Sequence, residues 1–172
     1  MMQSIRLFVA LATLVVLSAC APSKFRSYDG PEVTRVVVYK AERVMELWHH
    51  DTMLRSFDVN LGGNPFGHKQ HEGDRRTPEG DYIIDRRNPN SRFHLSLGID
   101  YPNEADREWA KQNGWRLGGD IFIHGRGPRF KTATGDWTDG CIAVTDREME
   151  DIYAMVQDGT PIHIAAAKPE PE

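Results

Sequence analysis

Between residues 33 and 61 the chain is divided into short β-branched or alternating apolar stretches, 33–39, 43–48 and 54–61, with polar breaks between them. None is long enough for an amphipathic helix, and alternation with a period of two marks strands that bury one face. A chain built this way begins as an antiparallel meander. Further short strands are predicted at 81–85, 92–99, 121–124 and 161–165. Only two segments read as helix. The first covers 103–112, with Trp109 on its buried side and Asn113-Gly114 as its stop. The second is expected over 146–158: Thr145-Asp146-Arg147-Glu148 forms a capping box, and Met149, Ile152, Tyr153 and Val156 recur at helical spacing. The predicted fold class is therefore mainly β with few helices (α+β), built on an antiparallel, sandwich-like sheet.

Upstream of this body the pattern is different. One positive charge, Arg6, precedes an apolar run over 7–17, then Ser18, Ala19 and Cys20, with no acidic residue before Asp29. That is the layout of an export signal, and eleven apolar residues fall well short of the roughly 20 that span a bilayer. Leu17-Ser18-Ala19-Cys20 resembles the lipobox of bacterial lipoproteins, in which the cysteine is acylated and becomes the new N-terminus; Ala21 resembles the pattern of those sent to the outer membrane. The expectation is a signal peptide over 1–19, a polar tether over 20–32, a folded domain over 33–166 and a disordered Pro/Glu-rich tail over 167–172. The mature chain is expected in the periplasm, lipid-anchored through Cys20 to the outer membrane.

Cysteine usage sharpens this. A chain exported to an oxidising compartment normally pairs its thiols, but this one has only Cys20 and Cys141. With Cys20 acylated, Cys141 is left as a free thiol, either buried and inert or kept for chemistry. Removing the first nineteen residues, which carry the single charge Arg6, leaves 153 and takes the formal balance from −4 to −5. A mildly acidic chain without a clustered basic face gives no reason to propose nucleic acid as a partner. No cofactor is called for.

His124 ends the apolar run Ile121-Phe122-Ile123 and is followed by Gly125; Cys141 follows Gly140 and precedes Ile142-Ala143-Val144. Each stands where a buried segment meets a loop, which can hold a side chain firmly and still expose it. A thiol with a pKa of about 8.5 is little ionised at neutral pH, and an adjacent imidazole can take its proton and return it to a leaving amine. Backbone N–H groups of Gly140 and Cys141, together with that of Asp139, are the expected oxyanion donors. Residue types alone leave two other readings open: a small buried cysteine with a strand-end histidine, or a zinc site drawn from His68, His71, His94, His124 and Cys141. No HExxH or other tight ligand motif is present, so no metal is expected.

His124-Gly125, followed by Trp137-Thr138-Asp139-Gly140-Cys141-Ile142-Ala143-Val144, resembles the signature of the L,D-transpeptidase (YkuD-type) family. Glu72-Gly73-Asp74, Thr77-Pro78-Glu79-Gly80-Asp81-Tyr82, Ser91-Arg92-Phe93-His94-Leu95-Ser96-Leu97, Tyr101-Pro102 and Gly118-Gly119-Asp120 are similar to family landmarks in the same order. The resemblance implies a mostly β catalytic domain in which Cys141 attacks a diaminopimelate carbonyl of a peptidoglycan stem peptide, with His124 as base and acid. A thioester forms and D-alanine leaves; an amine then gives transfer, and water gives carboxypeptidase or amidase products. Wall-linked lipoprotein is a further partner the resemblance implies. Arg126, with Gly125 and Thr138, is the expected substrate-binding set. Asp139 and Ala143 depart from the family's commoner residues at those places, which bears on the acceptor. A non-catalytic wall-binding lipoprotein of the same fold is the rival of another class.

Overall fold

The computed structural model describes residues 23–170; the expected signal peptide and the acylation site Cys20 lie outside the described residues. β1 (Arg35–Tyr39), β2 (Val44–His49) and β3 (Thr52–Asp58) form the expected antiparallel meander. The tight turns between them place Arg43 and His50 at positive φ. β4 (Gly80–Asn88), β5 (Ser96–Ile99), α1 (Glu104–Asn113), β6 (Phe122–His124), β7 (Ile142–Ala143), α2 (Asp146–Met155) and β8 (Pro161–Ala165) follow.

The strands make one mixed sheet in the order β3-β2-β1-β8-β4-β5-β6-β7, which corrects the purely antiparallel expectation. β8 enters between β1 and β4 and runs parallel to β1, and β7 runs parallel to β6. Alternation reports which face is buried and says nothing of a neighbour's direction. Parallel pairs need long connections, and the segment 125–141 between β6 and β7 is one.

Nor are there two separate layers. β4 pairs with β8 along Gly80 to Ile83, then changes partner to β5 at an irregularity between Ile84 and Arg86, where a bulge bends a strand. At the far edges, Asn60 and Ala143 exchange two backbone hydrogen bonds of 2.8 Å, so the segment after β3 meets β7 and the sheet curls onto itself. The core fills the curl with Val36, Val38, Leu47, Ile84, Leu97 and Ile123, covered by Met149 and Ile152 of α2. Thr145 and Glu148 cap α2 reciprocally as expected, but the helix stops at Met155.

Three local expectations change. In α1 it is Asp106 and Ala110 that are buried, whereas Trp109 is 36% exposed and packs edge-on against Trp115 at 4.9 Å. Asp106 turns inward because it closes the capping box with Asn103 and also accepts from Tyr82 Oη at 3.2 Å, and this rotates Trp109 outward. The strand expected over 92–99 begins only at Ser96. Local bonds from Phe93 N–H to Ser91 Oγ and from His94 N–H to Ser91 O form a turn ahead of it, with His94 at φ 78°. Finally, the segment expected as a tether is held to the body: Lys24 Nζ donates to Pro89 O and His94 O, and Arg26 pairs with Glu150 and Asp151 at 2.7 Å each. At the other end Lys168 reaches Glu46 at 3.1 Å.

Candidate active site

The register of β6 against β7 sets Ile142 beside Ile123 and Ala143 beside His124. Extended by one residue, it sets Cys141 beside Phe122. Side chains two apart on a strand share a face, and residues side by side across a pair share it too. Cys141 and His124 therefore face the same side, offset by two positions, a diagonal of roughly 8 Å between Cα atoms, which a thiol and an imidazole can bridge. Cys141 is partly exposed, while His124 is buried.

His124 sits in an aromatic box. Phe93 stacks on its ring at 4.3 Å, Trp137 meets it edge-on at 5.7 Å, and Phe130 stacks on Trp137 at 4.7 Å. Nδ1 lies 2.6 Å from the carbonyl of Gly125; read as a donor there, it fixes the tautomer and leaves Nε2 as the basic nitrogen. Burial lowers the imidazole pKa below its ordinary value; the Gly125 carbonyl opposes the shift and the Arg92 charge adds to it. The thiol moves the other way. Burial pushes Cys141 up to about 11, partly offset by the backbone N–H of Phe122 and reinforced by the Asp139 carboxylate. At neutral pH the resting pair is a thiol and a neutral imidazole. The thiol rests on the carbonyl of Asp120 at 3.5 Å, and Asp120 is itself in the left-handed region at φ 57°.

The turn that carries Cys141 is closed by Thr138, whose hydroxyl donates to Cys141 O at 2.7 Å and accepts from Gly140 N–H at 3.1 Å. Gly140 is thereby removed from the oxyanion role expected of it. Among the described residues the backbone N–H groups of Asp139 and Cys141 meet no protein acceptor. The Asp139 side chain stands 95% exposed at the mouth, 3.6 Å from Arg75.

The residues expected to bind substrate are packed or hydrogen-bonded within the protein itself. Gly125 is buried, and a Cβ there would lie 2.6 Å from Asp146 Oδ1 and 2.7 Å from Phe93 O. Thr138 is buried in the turn just described. The Arg126 guanidinium donates to Ala133 O and Asn60 Oδ1, both at 3.0 Å, so it braces the 125–141 segment from within. Ala143 is fully buried, and its backbone is bonded to that of Asn60. His68 and His94 pair with Asp106 and Glu150 respectively, apart from the Cys/His pair.

Sequence reasoning passed over the residues that position this pair. Asp146, read only as part of a helix cap, accepts from the N–H groups of Arg126 and Gly127 at 2.7 and 2.8 Å and so fixes the turn after His124. Residues 62–79 form a loop held by two buried lysines. Lys40 Nζ donates to Gly67 O, Thr77 O and Glu79 Oε1, and Lys69 pairs with Asp74 at 2.7 Å with side chains 3% and 5% exposed. Burial opposes the Asp74 charge, but Lys69 and the N–H groups of Arg76, Gln70 and His71 outweigh it and lower the carboxyl to about 2. The organised loop presses Arg76 O against Gly140, where a Cβ would come within 2.6 Å and φ is 124°. Only the Glu72-Gly73-Asp74 landmark signalled this in the sequence.

The candidate site is thus a strand-end histidine and a turn-borne cysteine on neighbouring parallel strands of a curled, mostly β sheet. The chain belongs to the family of YkuD L,D-transpeptidase catalytic domains, whose model matches residues 33–164. It is 27% identical over 128 residues to "Putative L,D-transpeptidase YafK" of Escherichia coli (strain K12), covering 70% of this chain and 46% of that protein. Among solved structures it is similar to the helical cell shape determining protein Pgp2 from Campylobacter jejuni. There the TM-score is 0.63 at 25% identity, covering 89% of this chain and 55% of that one. An L,D-transpeptidase from Mycobacterium smegmatis shares the fold, with a TM-score of 0.53 at 15% identity over 78% and 59% of the two chains. The chain thus spans about half the length of the relatives it matches.

Proposed function

We propose that the chain is a cysteine-dependent acyl-transfer enzyme acting on peptidoglycan stem peptides, with Cys141 as nucleophile and His124 as general base and acid. The observation that carries this is the β6–β7 register, which turns a partly exposed thiol and a buried, neutral imidazole to one side of the sheet. Because both groups rest neutral, deprotonation accompanies attack: rotation about the Cys141 Cα–Cβ bond takes the thiol from Asp120 O toward His124 Nε2, which accepts its proton as sulfur bonds to the carbonyl carbon. The N–H groups of Cys141 and Asp139 receive the oxyanion. His124 then protonates the departing amine nitrogen as the C–N bond breaks, leaving a thioester on Cys141. An incoming amine completes transfer, and water completes hydrolysis. Gly125, Thr138 and Arg126 serve by holding the two loops in register.

Export, anchoring through Cys20 to the outer membrane, and a periplasmic place of work belong to the same reading, supported by the N-terminal sequence pattern. Similarity to Pgp2, a helical cell shape determining protein, supports the cell wall as the setting.

The test is intact mass and muropeptide chromatography after incubating the protein with disaccharide tetrapeptides and with lipoprotein-linked sacculi. A thioester adduct on Cys141 is expected, with dimers marking transfer and released monomers or freed lipoprotein marking hydrolysis. Cys141→Ser abolishes the adduct with the fold intact, and His124→Gln slows it on the order of 100-fold or more. An unmodified Cys141 and unchanged muropeptides would move the chain to the wall-binding reading.

A further inference from the structure

The stack on His124 has a second storey. The guanidinium of Arg92 lies over the Phe93 ring at 4.9 Å, and Phe93 lies on the imidazole at 4.3 Å. Those two distances hold the guanidinium carbon within about 9 Å of the imidazole centre, inside one screening length at about 0.1 M salt. Its charge is felt there, adding to the lowered imidazole pKa.

Arg92 is exposed, and among the described residues no carboxylate lies within ion-pair distance of it. Three other cations around the site are engaged: Arg126 with carbonyls, Arg75 with Asp139, and Lys69 with Asp74. A guanidinium laid on an aromatic face keeps its planar fork ordered without using its hydrogen-bond donors, which suits it to bidentate contact with a carboxylate. In the reaction proposed above, the leaving amine must come within about 3 Å of His124 to receive its proton. The α-carboxylate of a leaving amino acid is two bonds from that nitrogen, so it falls on the His124 side of the site and within reach of a cation so placed.

We infer that Arg92 is a specificity-determining residue that grips the free C-terminal carboxylate of the leaving amino acid. The inference rests on the acyl-transfer reading and adds to it the chemistry of one subsite. Arg129, 5.5 Å from the Phe130 ring one storey further from the imidazole, is the built-in control.

The experiment compares two synthetic donors on the full chain in detergent: a stem tetrapeptide with a free C-terminal carboxylate, and the same peptide as its C-terminal carboxamide. Acylation of Cys141 is followed by intact mass to give kcat/KM for each. The wild type is expected to prefer the carboxylate roughly tenfold or more, the scale of one charge-assisted bidentate contact. Arg92→Gln abolishes the preference by slowing the carboxylate donor selectively, whatever common change the loss of its charge at His124 makes to both donors. Arg92→Lys, which keeps the charge and loses the fork, retains part of it, and Arg129→Gln retains all of it. Equal slowing of both donors in Arg92→Gln, or an undiminished preference, overturns the inference while the acyl-enzyme itself still supports the reaction. A wild type that acylates with neither donor overturns the reaction and the subsite together.

Discussion

The two halves of the site are built by opposite means. His124 is held by rings, with Phe93 and Trp137 packed on it and Phe130 behind, and it is kept neutral by burial. Cys141 is held by a polar loop whose order comes from buried charge: Lys69 with Asp74, and Lys40 with Glu79 and two carbonyls. A base must keep one orientation and lose its charge, and apolar stacking supplies both. A nucleophile on a turn needs its backbone fixed to within tenths of an ångström, and a network of directional, charge-assisted bonds does this better than side-chain packing.

If that division holds, the largest effect comes from breaking the charged half. Asp74→Asn leaves the Lys69 ammonium buried without its countercharge, and loss of one partner of a buried pair costs about 3–5 kcal/mol. Thermal unfolding should register it as a large fall in Tm. The pH dependence gives the same group a signature. Its folded pKa is depressed from 3.8 to about 2, so its contribution is complete above pH 4 and is lost as the pH falls toward 2. Calorimetry across that window should show the wild type losing stability and Asp74→Asn changing less.

Gly140→Ala tests the contact between the halves of the loop. It places a Cβ 2.6 Å from Arg76 O at a φ of 124°, a strain of about 1–3 kcal/mol, and it should displace the nucleophile's turn. The expected result is a modest drop in Tm with a much larger drop in Cys141 acylation; equal acylation would show that the loop does not position the thiol.

On the aromatic half, Phe93→Leu removes a stacked ring worth about 0.5–1.5 kcal/mol and leaves the sheet intact. Acylation should slow with little change in unfolding. The smallest effect is in the acid limb of the wild-type rate. Burial lowers the His124 pKa below its ordinary value, so the acid limb of acylation should have its midpoint below pH 6.5. The same sign makes the native state bind fewer protons than the unfolded chain below pH 6.5, so this group withdraws stability as the pH falls. A rate already half lost at pH 6.5 would contradict the apolar box.

The sequence by itself determined the strands of the opening meander, both helices and the cap of α2, because period-two alternation and capping boxes are local signals. It also singled out Cys141 and His124, through their places at segment ends and the motif around them. Tertiary structure alone decided that β8 lies between β1 and β4, that β6 and β7 run parallel, and that the sheet edges meet at Asn60 and Ala143. Pairing direction depends on partners far along the chain and leaves no trace in a strand's own residues.

The same reason explains the misread side chains. Arg126 and Thr138 carry groups suited to substrate, but carbonyls that only the folded loop brings near accept from Thr138 and from the terminal guanidinium nitrogens of Arg126, whereas Arg92 lies over the Phe93 ring with no ion-pair partner among the described residues. A charge pair five residues apart is ordinary on a surface, and only the packing of the loop buries Lys69 with Asp74. Residue type states what a group can do, and the environment that long-range packing assembles decides whether it is free to do it.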